Sequence, residues 1–349
     1  MSVSSTDLRI GTLDDGTKEN WDRFVDSHPD ATFFHRAGWQ RVIERSFGHR
    51  THFLYAAAGG AIRGVLPLVH VKSLLFGNYL ASTAFCVYGG AVADSEDALK
   101  ALDAAAIALA EKLGVGHVEY RYRLPREIPG WVAKSELYVT FRKAIHPDPE
   151  KNMLEIPRKQ RAMVRKGIKF ELASEVAPDP SRLYPVYAES VRNLGTPVFA
   201  RRYFDNLKRE FGDACETVII THQGRDIAGV MNFYFRDEVL PYYGGGIADA
   251  RQLAANDFMY WEVMRRACLR GTRLFDFGRS KRGTGAFDFK KNWGFTPEPL
   301  HYLYRLHKSA DLPDLNPLNP KFRLFIETWK RLPLPVANAV GPHIVRNLG

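Results

Sequence analysis

Tyr88-Gly89-Gly90-Ala91-Val92-Ala93-Asp94 and Tyr243-Gly244-Gly245-Gly246-Ile247-Ala248-Asp249 are one phrase written twice, and their surroundings are shared as well. Upstream of the first copy, Thr51 to Val71 alternates apolar and polar residues, turns at Gly59-Gly60, and alternates again. Upstream of the second, Glu216 to Phe235 does the same around a glycine-containing turn. Alternation at period two on both sides of a glycine turn predicts a β-hairpin. Downstream, helical spacing predicts helices from Glu96 to Leu113 and from Asn256 to Arg270, each stopped by a glycine, Gly114 and Gly271. Strands are expected next, at Gly116 to Tyr122 and Arg273 to Phe277. Hairpin, strand, helix, strand is thus a unit used twice, and the fold class is α/β (α+β) with two related halves.

The 349 residues suit two cores better than one, and 45% apolar with 25% charged residues is the balance of a globular protein. We expect domains at 1–150 and 151–310, joined through the proline-punctuated stretch Ala144 to Pro157, and an extension at 311–349 with an amphipathic helix from about Pro320 to Arg331. Within the second half, Arg158 to Lys169 reads as a basic helix and Phe170 to Leu172 as a strand. Asn256 is expected to cap its helix, whose Phe258, Trp261, Met264 and Cys268 recur at core spacing.

The polar start and the lack of a long apolar run predict a cytoplasmic protein without a spanning segment. Cys86, Cys215 and Cys268 are scattered among apolar neighbours, which suits core positions and neither a disulfide framework nor a metal cluster. His49 and His52 lack a third ligand, so no metal is expected. A net charge of +10 favours polyanions: RNA, anionic lipid or phosphorylated intermediates. The basic helix at 158–169 reads either as an RNA contact or as a solvated face, and no DNA partner is expected. Phe322, Leu324, Phe325 and Trp329, with Lys321, Arg323, Lys330 and Arg331, fit either packing on the body or peripheral contact with the inner membrane face.

Candidate chemistry concentrates past the last strand of the second half. Arg279, Ser280, Lys281 and Arg282 follow Gly278 and precede Gly283 and Gly285, a pattern in which main-chain amides and cations can meet an anion or a developing oxyanion. Tyr187, Arg192, Arg201, Arg202 and Tyr203, around the Gly195-Thr196-Pro197 turn, read either as a grip for a phosphorylated or carboxylated acceptor or as ordinary surface charge. Tyr243, ahead of three glycines at a strand end, suits either ligand approach or packing. No Ser-His-Asp or Cys-His arrangement stands out.

Phe289-Lys290-Lys291-Asn292-Trp293-Gly294 resembles the F-K-x-x-F-G signature of FemAB-type transferases, with Trp293 in place of the second phenylalanine. The resemblance runs from about Phe33 to Leu306. More narrowly, FDFGRSKRGTGAFDFKKNWGF looks like the subgroup associated with exosortase and PEP-CTERM gene systems. It implies two tandem GNAT-like acetyltransferase domains, each a mixed central sheet flanked by helices. It also implies that an amine attacks an activated carbonyl, with Lys290 steadying the oxyanion and Phe289 shaping the pocket. No cofactor stays bound, and the donor is aminoacyl-tRNA or acyl-CoA. No heptad-rich arm for tRNA is present, and Arg251 to Asn256 has the arginine but not the glycines of the Q/R-x-x-G-x-G/A acetyl-CoA motif. The expected acceptor is an amine on a small or lipid-linked envelope or exopolysaccharide precursor. The alternatives are CoA-dependent acylation of an amino sugar or amino acid, and an inactive RNA- or membrane-binding module.

Overall fold

The computed structural model describes residues 8–73, 77–309, 311–312 and 320–349, the last of these with side chains from 324 onward. In chain order the first stretch forms β1 (Arg9–Thr12), α1 (Lys18–Ser27), α2 (Gly38–Phe47), β2 (Arg50–Ala58), β3 (Ala61–Ser73), β4 (Gly77–Ser82), β5 (Val92–Ala93), α3 (Glu96–Leu113), β6 (His117–Tyr122) and β7 (Val132–Lys134). Next come β8 (Tyr138–Ala144), α4 (Pro149–Glu155), α5 (Arg158–Lys169), β9 (Ala173–Ala177), α6 (Leu183–Asn193), α7 (Arg201–Phe211), β10 (Cys215–His222), β11 (Arg225–Phe235) and β12 (Glu238–Gly246). The chain then forms α8 (Ala255–Leu269), β13 (Leu274–Asp276), β14 (Ser280–Lys281), α9 (Gly285–Asn292), β15 (Pro297–Pro299), β16 (His301–Leu306), α10 (Pro320–Arg331) and α11 (Leu334–Val345).

The first unit comprises Met1–Leu137, Pro299–Asp314 and Arg346–Gly349. Its sheet runs β1-β2-β3-β4-β6-β16-β7, with β5 on β3. The β2–β3 hairpin closes at Ala58 opposite Ala61 because Gly59 and Gly60 both take positive φ, 58° and 78°, the conformation a two-residue turn of the right twist demands. After β4 the chain crosses through α3 to β6, which lies parallel to β4 from Tyr79 opposite His117 to Ala81 opposite Glu119. Ser95 caps α3 by accepting from the Ala98 amide, and Gly114 ends it at φ 61°. Ala98, Leu102, Ala106 and Ala110, four residues apart, bury one stripe of α3 against Leu54, Leu66, Leu80 and Val118.

The second unit comprises Tyr138–Glu298 and Leu315–Val345, with sheet order β14-β8-β13-β12-β11-β10-β9 and β15 on β8. Its β10–β11 hairpin turns at Gln223 and Gly224, again both at positive φ. Here α8 is the crossover, and β13 pairs parallel with β12. Val218, Val230, Val239, Phe258, Trp261, Met264, Cys268 and Phe275 belong to its core.

Strand pairing departs from the sequence boundaries. β8, from the end of the first half of the sequence, pairs antiparallel with β13 in the second sheet. β16, from the end of the second half, pairs antiparallel with β6 in the first sheet. The two halves of the sequence therefore exchange a strand, and divisions near 150 and 310 cut through both units. Three local expectations also change. Phe170 to Leu172 is a turn with Glu171 at φ 56°, and the strand starts at Ala173. The N-cap of α8 is Ala254, without a side-chain bond, and Asn256 sits inside the first turn with Oδ1 buried and unpartnered. The stretch Ala144 to Pro157 is not a bare linker but carries α4, which packs on α8.

Cys86, Cys215 and Cys268 are free and buried. Among the described residues, no helix is long and apolar enough to cross a membrane. α10 matches its expected span, with Trp329 buried and Leu324 exposed; the side chains of Lys321, Phe322 and Arg323 lie outside the described residues.

Candidate functional site

Parallel pairing of β12 with β13 covers only Glu238 opposite Leu274 and Val239 opposite Phe275. Beyond Val239, β12 continues to Gly246 with β11 alone as its partner. Beyond Asp276 the chain turns at Gly278, φ 67°, into β14, which pairs with β8 through Ser280 opposite Val139 and Lys281 opposite Tyr138. Two parallel strands thus part at their carboxyl ends, the position where α/β sheets hold ligands.

The turn is anchored twice. Asp276, fully buried, accepts from the Thr140 hydroxyl at 3.0 Å and the Gly278 amide at 2.7 Å, and pairs with Arg142 at 3.2 Å. From α9, Lys290 Nζ donates to the carbonyl oxygens of Phe277, Gly278 and Arg279 at 2.6, 3.0 and 3.2 Å. An ammonium has three protons, and all three are placed. Burial pushes the Lys290 pKa down to about 7, against the pull of the Asp276 carboxylate and with help from Arg279. In this geometry Lys290, the cation expected to steady the oxyanion, gathers main-chain carbonyls.

The rest of the signature is packing. Phe289 lies 5.5 Å from the Tyr260 ring and 6.0 Å from the Trp293 ring, centroid to centroid, as a partly buried member of the second core. Trp293 is 1% exposed and its indole N–H donates to Asp257 Oδ1 at 2.9 Å. The substituted position in the F-K-x-x-F-G pattern therefore ties α9 to α8. Thr284 starts α9 by accepting from the Phe287 amide and donating to the Lys281 carbonyl.

The other expected residues divide. Arg279 and Arg282 are exposed, and the Arg279 guanidinium lies over the Tyr138 ring at 4.6 Å. Ser280 and Lys281 turn inward; the buried Ser280 hydroxyl meets no partner. Tyr203 and Tyr243 come together, hydroxyl to hydroxyl at 2.8 Å, within an aromatic cluster that includes Tyr187, Phe199 and Phe204. Arg192 donates to the Lys330 carbonyl of α10 at 3.2 Å, and Arg202 is exposed on α7.

A second group of residues was passed over in the sequence. In the first unit, the Tyr88–Ala93 phrase and the Arg121–Arg126 segment, which spans the end of β6 and the loop beyond it, line a cavity of about 210 Å³. The signal was available: Arg123-Leu124-Pro125-Arg126 follows a predicted strand of the first half as GRSKRG follows one of the second.

Residues 151–291 match the family described as acetyltransferase (GNAT) domain. Comparison with curated protein sequences finds no match. Among solved structures, the chain is similar to FemX (TM-score 0.69, 14% identity, covering 86% of this chain and 98% of that one). It is also similar to L-PGS from Bacillus licheniformis (TM-score 0.53, 15% identity, 90% and 97%). A tandem GNAT protein from the clavulanic acid biosynthesis pathway gives a TM-score of 0.54 at 14% identity, covering 88% and 100%. At such identities the likeness is one of fold: the chain is a mixed α/β protein with a GNAT domain and the tandem GNAT architecture.

Proposed function

We propose that the second unit is an N-acyltransferase that moves an acyl or aminoacyl group onto an amine of a cell-envelope or exopolysaccharide-linked acceptor. The observation that carries this reading is the parting of β12 from β13 inside the stretch that matches a GNAT domain. The main-chain edge of β12 from Leu240 onward has groups to offer an extended donor in the way a missing strand would take them. In the reaction, the amine lone pair attacks the donor carbonyl and a C–N bond forms. The C–S bond of a thioester or the C–O bond of an ester breaks, and the leaving sulfur or oxygen takes the amine proton. Because the donor is activated, no protein nucleophile is needed.

Lys290 enters by exchange. The Arg279 carbonyl is its longest bond and lies on the exposed side, so a substrate oxygen that replaces it receives an ammonium proton as negative charge develops. Arg279 and Arg282, facing outward, suit the phosphates of CoA or of a tRNA end. The GNAT match favours acyl-CoA as donor, with aminoacyl-tRNA the competing choice. A lipid-linked acceptor is compatible with the exposed Leu324 and Phe325 of α10.

The test is incubation of the full chain with an amine acceptor and either acyl-CoA or charged tRNA, followed by mass spectrometry for the amide. Product from one donor assigns it; product from neither ends the proposal. Lys290→Met is expected to lower kcat about a hundredfold, the size of a lost oxyanion donor. Full activity in that variant removes Lys290 from the chemistry.

A further inference from the structure

We propose that the first unit has a ligand site of its own, independent of the transfer reaction: the cavity at the carboxyl end of β6 binds a small polar carboxylic acid through Arg123. The cavity measures about 210 Å³ and is lined by polar and apolar side chains together, which suits a sugar acid or an amino acid.

The walls are built to stay open. The Gly89 and Gly90 amides both donate to the Arg121 carbonyl, at 3.0 and 3.1 Å. His35 Nε2 bonds the Gly90 carbonyl at 2.8 Å, and the Tyr122 hydroxyl accepts from the Ala91 amide at 3.0 Å. A Cβ at Gly90 would lie 2.2 Å from the Tyr122 ring, so any other residue there requires that ring to shift.

Three arginines line the cavity, and two are spent. Arg121 pairs with Glu119 at 2.7 Å, and Arg126 forks onto the Asp103 carboxylate. Arg123 also lines the cavity, and among the described residues no carboxylate is paired with it. The planar fork of arginine matches a carboxylate in two-point geometry. Asp30 is the acidic side chain in the lining. It disfavours a doubly charged phosphate and suits a hydroxyl or ammonium opposite the acid. The place in the fold agrees: β6 runs parallel to β4, as β13 does to β12, so the Arg123 segment is the first unit's counterpart of the turn at Gly278.

Isothermal calorimetry on the full chain with D-glucuronate, L-serine and inorganic phosphate tests the site. At least one carboxylate is expected to bind one to one. Arg123→Gln is expected to weaken that binding tenfold or more with an unchanged melting temperature, and Arg123→Lys by less. Leu99→Trp, which fills the cavity from its apolar side, is expected to abolish binding with Arg123 intact. Absence of binding by both carboxylates, unchanged binding in Arg123→Gln, or tighter binding of phosphate than of either acid overturns the proposal. None of these readouts depends on amide formation, so failure here and failure of the transferase reading are separable.

Discussion

The indole of Trp293 and the carboxylate of Asp257 meet at 2.9 Å in the second core, where burial raises the Asp257 pKa while the indole bond opposes that rise. Trp293→Phe restores the commoner signature and removes the donor. The expected loss is about 1–3 kcal/mol at pH 7, read by chemical denaturation, because a buried acceptor is stripped of a partner.

Asp257→Asn has the opposite sign. A carboxyl whose folded pKa lies above its unfolded value holds extra protons in the folded state, so its contribution worsens as pH rises through the folded pKa. The amide keeps an acceptor for Trp293 and discards the buried charge. The variant is expected to melt a few degrees higher than the parent at pH 7, with the gap closing near pH 4.

Lys290 sets a second pH dependence. Its pKa falls from an ordinary 10.5 to about 7 on folding, so between these values the unfolded chain binds more protons and stability rises with pH. Denaturation from pH 7 to 10 is expected to show this rise in the parent and a flatter curve in Lys290→Met. Nitrogen NMR of the Lys290 amine is expected to titrate near 7; a midpoint near 10 would contradict the buried geometry.

Gly90→Ala places a methyl against the Tyr122 ring. Overpacking of this kind costs about 1–3 kcal/mol. Denaturation of the purified variant measures it, and an unchanged midpoint would mean the ring is free to move aside.

The exchanged strands make the sequence boundaries poor places to cut. A fragment of residues 1–150 keeps β8, which belongs to the second sheet, and lacks β16, so the β6 edge is bare. It is expected to aggregate or melt without cooperativity by circular dichroism; a monomeric, cooperatively melting fragment would show that β16 is dispensable.

Local elements were readable because their determinants are local. Glycine at positive φ announced both hairpins and the end of α3, and α5 and α10 match their expected spans. Strand partnership was not readable, since alternation in Tyr138–Ala144 or His301–Leu306 says which face is apolar and nothing about the neighbour. The setting of Lys290 was hidden for a related reason: a lysine beside glycines and arginines suggests a cationic surface, whereas the carbonyls that hold it leave no mark in side-chain identity. Arg123 was overlooked because what sets it apart is that its neighbours Arg121 and Arg126 pair with acids while, among the described residues, no acid pairs with it.

β16 closes the first sheet from residues 301–306. On the ribosome, everything up to β7 therefore emerges with one sheet edge unfinished, and that edge waits while the whole intervening unit is synthesised. The two copies of the repeat are structurally interdependent: neither could be removed without leaving the other's sheet short of a strand.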